Sequence, residues 1–233
     1  MTFDQLFDRW QNTFHFDAFV KDGIVNESKY EKPHILFVLR DKYDCETCDF
    51  RQTLQENGEG WKTWNNVTRW VTGILDKSPY NDSISTDSRT SELQRVSIMN
   101  LKKECGGNRS NGKVLKKHVE DQYEFILEEI LLCSPNIILA CGLPTHSIES
   151  SATLLKNIVF KELETSDYET IASINLNRNW RFFNVEIQNV TIPVIEFCHP
   201  QVTYFKGFRG HALWKYLHED ILKISTYFLK DSH

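Results

Sequence analysis

Apolar positions along the chain fall into short runs and helical stripes. Leu6, Phe7, Trp10 and Phe14 recur at helical spacing, which predicts an amphipathic helix over 3–20. Pro33 breaks the chain, and 34–39 (HILFVL) is an apolar run of strand length, as in a parallel sheet buried on both faces. A polar stretch follows over 40–60, then a helix over 61–75 built on Trp64, Val67, Val71 and Ile74. The Ser-, Thr-, Asp- and Asn-rich segment 78–95 reads as a loop, and 96–100 (VSIMN) as a second strand. The basic, glycine-bearing stretch 102–113 is not regular throughout. A long helix over 114–133 is closed by Pro135, and 136–141 (NIILAC) is a third strand. Gly142 and Pro144 turn the chain into another helix. The alternation in 181–187 suggests an edge strand, 192–197 (IPVIEF) is a buried strand, and 208–229 is a terminal helix.

Strands alternating with helices predict a three-layer α/β/α fold around a central, mainly parallel four-stranded sheet. The 233 residues suit one domain over 1–233, with an N-terminal helix of about 2–20 and a core of about 33–233. Hydrophobic residues at 40% and charged residues at 25% are ordinary globular values and exclude disorder, collagen and coiled coil. The longest apolar runs, 35–39 and 137–141, are far below the roughly 18–20 residues of a membrane span. The opening MTFDQLFDRWQ has no basic leader, so a cytoplasmic location and no membrane partner are expected. The net charge of -5 argues against coating nucleic acid through bulk charge, but leaves room for a local basic groove. No P-loop and no dinucleotide-binding glycine motif is present.

In such sheets ligands bind where the strands end, and three of those ends carry candidate chemistry. Asp41 could hold a water or face a developing cation, or serve as a turn residue. His199, in FCHPQ, could donate from a neutral imidazole to a leaving oxyanion, or cap the turn before Pro200. Asn100 offers a donor and an acceptor on one planar face, matching a pyrimidine edge, or forms an Asx turn.

This ordered set resembles the uracil-DNA glycosylase superfamily. LRDKY (39–43) is similar to the family's Gly-Gln-Asp-Pro-Tyr motif, KTWNN (62–66) to the segment with its phosphate-pinching Ser, and IMN (98–100) to the strand ending in its base-reading Asn. KKECGGNRSN (102–111) is similar to a stretch of the thermophile branch, and HPQVTYFKGFRG (199–210) to the His-Pro-Ser-Pro-Leu motif with its downstream glycines. The resemblance runs from about Pro33 to the end. It implies Asp41 and His199 as catalytic residues, and Tyr43, Phe50 and Asn100 as the base pocket. Lys42, Thr63, Lys206 and Arg209 would touch DNA, with Lys102, Lys103, Arg109 and Lys113 as a second basic run near the phosphate path. Val202, Tyr204 or Phe205 would wedge into the stack.

The implied activity is that of a monofunctional DNA glycosylase, since no lysine nucleophile is evident. It would flip out uracil or a modified pyrimidine, hydrolyse the N-glycosidic bond and leave an abasic site. Lys42 in place of the family's Pro suggests, as an alternative, a larger pocket for a phage hypermodified cytosine such as glucosylated 5-hydroxymethylcytosine. The role would then be antiviral defence rather than repair. A non-catalytic DNA-binding module on the same fold is the alternative from another class. Cys45 and Cys48 form a C-x-x-C, and one family branch holds an iron–sulfur cluster on four cysteines. Here the pair follows the first motif instead of preceding it, and with Cys105 and Cys133 the fourth ligand is out of place. No metal or other cofactor is therefore expected. DNA is the expected partner and a monomer the expected state.

Overall fold

A computed structural model describes residues 1–43, 48–58, 62–106, 111–205 and 207–229, apart from the side chains of residues 43, 62, 105 and 106. Helix α1 (Phe3–Phe14) starts at a capping box in which the Thr2 hydroxyl accepts from Gln5 N and the Gln5 side chain accepts from Thr2 N. It stops short of the expected residue 20 because His15 takes a left-handed conformation with φ 51°. The chain then forms β1 (Val20–Lys21), β2 (Gly23–Ile24), β3 (Ile35–Tyr43), β4 (Cys48–Asp49), α2 (Phe50–Asn57) and α3 (Lys62–Asp76). Next come α4 (Thr86–Leu93), β5 (Ser97–Gly106), α5 (Gly112–Cys133), β6 (Ile137–Cys141), and α6 (Ser151–Leu154) running into a π-turn. The order closes with β7 (Glu169–Ala172), β8 (Asn179–Ile187), β9 (Val190–Phe197), the hairpin β10 (Tyr204–Phe205) and β11 (Phe208–Arg209), and α7 (Gly210–Phe228).

Among the described residues the central sheet has seven strands in the order β2-β5-β3-β6-β9-β8-β7, so the expected four-stranded sheet is only its middle. There β5, β3, β6 and β9 run parallel, while β2, β8 and β7 add antiparallel flanks. The strand at 181–187 is not an edge: β8 lies between β9 and β7. Segment 78–95 is not all loop either. Ser85 caps α4 by accepting from Ser88 N, and the helix buries only Arg89 and Leu93.

Strand alternation divides the core in two. Ile35, Phe37, Leu39, Ile98, Cys141 and Phe197 face α2, α3, α4 and α7. Leu36, Val38, Met99, Leu101 and Ala140 face α1, α5 and α6. β6 is buried along its whole length, as a central parallel strand must be. Each such Leu, Ile or Val contributes about 1.5–3 kcal/mol by leaving water. Among the described residues, no helix is long and apolar enough to cross a membrane.

Candidate active site at the carboxyl ends of the strands

The strand registers set the geometry. β3 pairs with β5 at Leu39↔Asn100, β3 with β6 up to Val38↔Ala140, and β6 with β9 at Cys141↔Phe197. One row across four strands therefore reads Asn100, Leu39, Cys141, Phe197. Asp41 and His199 lie two residues beyond Leu39 and Phe197. Side chains two apart on a strand share a face, so Asp41 belongs to the face of Leu39, covered by α2, α3 and α7; His199 lies past the end of β9, in a turn that α3 and α7 hold. β3 and β9 themselves run two strand spacings apart, about 10 Å.

His199 is half-buried at the start of a turn. Gln201 N donates to its Nδ1 at 3.1 Å. An imidazole that accepts at Nδ1 carries its proton on Nε2 when neutral. Burial, and then the charge of Arg40, push its pKa down to about 4, so it is neutral around pH 7. The turn is braced from two helices. Asn66, in the first turns of α3, donates from Nδ2 to Pro200 O at 2.6 Å, and its Oδ1 accepts from Arg69 Nη1 at 2.8 Å. Trp214 of α7 donates from Nε1 to Val202 O at 2.8 Å. In the sequence, Asn66 stands only as the end of the KTWNN segment, and Arg69 and Trp214 carry no motif. Their only signal was polar or aromatic side chains at helix positions facing the His-Pro turn.

Arg40 is a further residue passed over. Its Nη2 donates to Leu143 O at 2.7 Å and Glu149 O at 3.1 Å, fixing the loop after β6. Its Nε is buried without a hydrogen-bond partner among the described residues, and burial draws the guanidinium's pKa down against the pull of Asp41. Gly142, at φ 131°, makes room for it, since a Cβ there would lie 2.8 Å from that Nε.

Asn100 is 1% exposed, and Asp22, between β1 and β2, engages it twice. Asp22 Oδ2 accepts from Asn100 N at 2.8 Å and from Asn100 Nδ2 at 2.9 Å. Asp22 Oδ1 meets the ammonium of Lys103, which also lies 2.6 Å from Glu129 Oε2 of α5. Lys103 is fully buried, 5.3 Å from the Trp10 ring centre, and Lys102 is 7% exposed. The expected second basic run is thus not a phosphate path at these two lysines. Arg109 lies outside the described residues, and Lys113 is exposed. Burial alone would lower the Lys103 pKa, but Asp22 and Glu129 outweigh it and raise it. Burial pushes the Glu129 carboxyl well up.

The remaining expected residues divide. Phe50 is 1% exposed, with Lys42 Nζ 4.1 Å from its ring centre on one side and Trp64 at 5.4 Å. Its ring is part of the core beneath α3, and Lys42 is held over it. Thr63 sits in the first turn of α3 at 8% exposure. The backbone of Tyr43 ends β3. Lys206 lies outside the described residues. Arg209 is exposed and stacks its guanidinium 5.1 Å from the Tyr204 ring centre across the β10–β11 hairpin. Tyr204 is 56% exposed, and Val202 and Phe205 are partly buried against the core. Arg178 lies 3.9 Å from the Trp180 ring centre and 4.9 Å from the Phe205 ring centre, bracing that hairpin.

Cys45 lies outside the described residues. Cys48 is beside Lys42 at the carboxyl end of β3, with Lys42 Nζ donating to its sulfur at 3.9 Å. Cys133 ends α5 at the other end of the strands, where its carbonyl accepts from Tyr30 OH at 2.9 Å. These two cysteines are at opposite ends of the sheet and do not fit one cluster. Comparison with protein-family models and with characterised proteins gives no match for this chain.

Proposed function

We propose that the protein is a DNA glycosylase that hydrolyses the N-glycosidic bond of uracil or a modified pyrimidine. The observation that carries this reading is that Asp41 and His199 lie at the carboxyl ends of β3 and β9, two strands of one parallel sheet, with His199 neutral and bearing its proton on Nε2. Four parallel strands at the centre of the sheet and three-layer packing agree with the uracil-DNA glycosylase-like architecture that the motifs imply.

A flipped nucleotide would sit between the two side chains. As the bond from C1′ to the base nitrogen breaks, its electron pair goes to the base and positive charge grows on the sugar. The His199 Nε2–H donates to the base oxygen at position 2 as that oxygen becomes anionic. The Asp41 carboxylate faces the cationic sugar and orients a water, whose oxygen bonds to C1′ while its proton passes by way of that carboxylate and solvent to the departing base anion. The products are a free base and an abasic site. Tyr204, exposed on the hairpin strand β10, is the side chain best presented to fill the vacated stack, and Arg209 is available to a phosphate.

End-labelled DNA carrying uracil, and parallel DNA carrying 5-hydroxymethylcytosine or its glucosylated form, treated with alkali after incubation, tests the reading. We expect cleavage at uracil, lowered about 10²–10⁴-fold in Asp41→Asn and His199→Ala. Cleavage only at the modified cytosine would move the protein to the defence alternative. No cleavage of any strand, with DNA binding retained, would leave a binding module.

A further inference from the structure

The buried carboxyl of Asp22 bears on which base the site reads, an inference that rests on the glycosylase-type pocket above. Asn100 can present its amide in two orientations, and they read opposite base edges. With Oδ1 against N3 and Nδ2 against position 4, the amide suits a 4-oxo pyrimidine, which has N3–H and an oxygen there. Turned over, it suits a 4-amino pyrimidine, which has a bare N3 and an NH2.

Asp22 removes that freedom. Its Oδ2 accepts from both Asn100 N and Nδ2, so a reversed amide would bring Oδ1 against a carboxylate and leave that carboxylate with a lost donor. Lys103 and Glu129 hold Asp22 in place, and all three side chains are at most 1% exposed. Among the described residues no donor meets Asn100 Oδ1.

The sheet order gives the direction. β2 flanks β5 on the side away from β3, β6 and β9. Asp22, which leads into β2, therefore draws Nδ2 to the outer edge and leaves Oδ1 on the His199 side. A pyrimidine held with its position-2 oxygen at His199 presents N3 next and position 4 last on the way to that edge. It meets an acceptor at N3 and a donor at position 4.

We propose that Asp22 is a positioning residue that fixes the Asn100 amide for 4-oxo pyrimidines, uracil and its 5-substituted forms, and against cytosine-type bases. The probe is a short single-stranded oligonucleotide with one 2′-fluoro-arabino nucleotide, uncleavable because fluorine disfavours positive charge at C1′, carrying uracil or cytosine. Fluorescence anisotropy should show uracil bound at least about 10-fold more tightly by the wild type. Asp22→Asn should bring the two within about 2-fold while keeping affinity for DNA without either base. Equal binding by the wild type, preference for cytosine, or a uracil preference that survives Asp22→Asn would each overturn the proposal. If Asp22→Asn does not fold, asparagine-selective 15N spectra of the wild type decide. One Asn100 side-chain proton protected from exchange supports the fixed amide, and rapid exchange of both overturns it. Uracil preference without strand cleavage would remove the glycosylase and keep the reader; cleavage without Asp22-dependent preference would do the reverse.

Discussion

The chemistry asked of His199 depends on its being neutral, and its surroundings set the pH range where that holds. Its pKa is near 4 rather than 6.5, first through burial and then through Arg40. A donor of this kind works above its pKa and fails when protonated, because the imidazolium loses its acceptor at Nδ1 and with it the bond from Gln201 N. We expect excision to be insensitive to His199 titration from pH 8 down to about 5, and to fall below that. An NMR titration of the imidazole checks the assignment directly. Replacing Arg40 with Met should move the His199 midpoint upward, toward the ordinary value, while also loosening the loop it holds through Leu143 and Glu149. A midpoint unchanged by that substitution would remove Arg40 from the electrostatics of the site.

At the scale of elements, the His199–Val202 turn is fixed by helices rather than by its own strand. Asn66 and Trp214 each donate to a carbonyl of the 200–202 segment. Asn66→Ala strips Pro200 O and Arg69 of partners and should cost about 1–3 kcal/mol of stability in urea unfolding. Trp214→Phe keeps most of the packing and loses only the donor to Val202 O. Its expected signature is a kcat lowered about 10-fold with a smaller change in KM, since the bond it loses holds the turn that carries His199. The apolar runs announced β3, β6 and β9 because a buried parallel strand must be apolar on both faces. α4 escaped notice because Thr86–Leu93 buries only Arg89 and Leu93, leaving no stripe to read. Asp41 and His199 were legible as polar residues following apolar runs, a pattern that survives without knowledge of packing. Asp22 was not, because it lies between two two-residue strands and meets Asn100 across 78 positions of chain.

The whole molecule carries two buried polar arrangements with opposite responses to mutation and pH. In the first, one lysine lies between two carboxyl groups. Lys103→Met leaves both without a cation and should cost about 3–5 kcal/mol, whereas Glu129→Gln should cost much less, because burial already drives that carboxyl toward its neutral form. In the second, two imidazoles are held neutral. His118 is pushed down to about 3 by burial and by Lys102 and Lys103, and His199 to about 4. The unfolded chain protonates both near 6.5, so between that pH and about 4 it binds protons that the folded state refuses. Stability is therefore fully present above 6.5 and falls as the pH drops through that window, with His118 extending the loss toward pH 3. Urea midpoints measured at pH 7, 5.5 and 4.5 should decline in that order, and the decline should be shallower in His199→Ala. A midpoint constant from pH 7 to 4.5 would mean that neither imidazole is buried in its neutral form, and the proton placement on which His199 donates would fall with it.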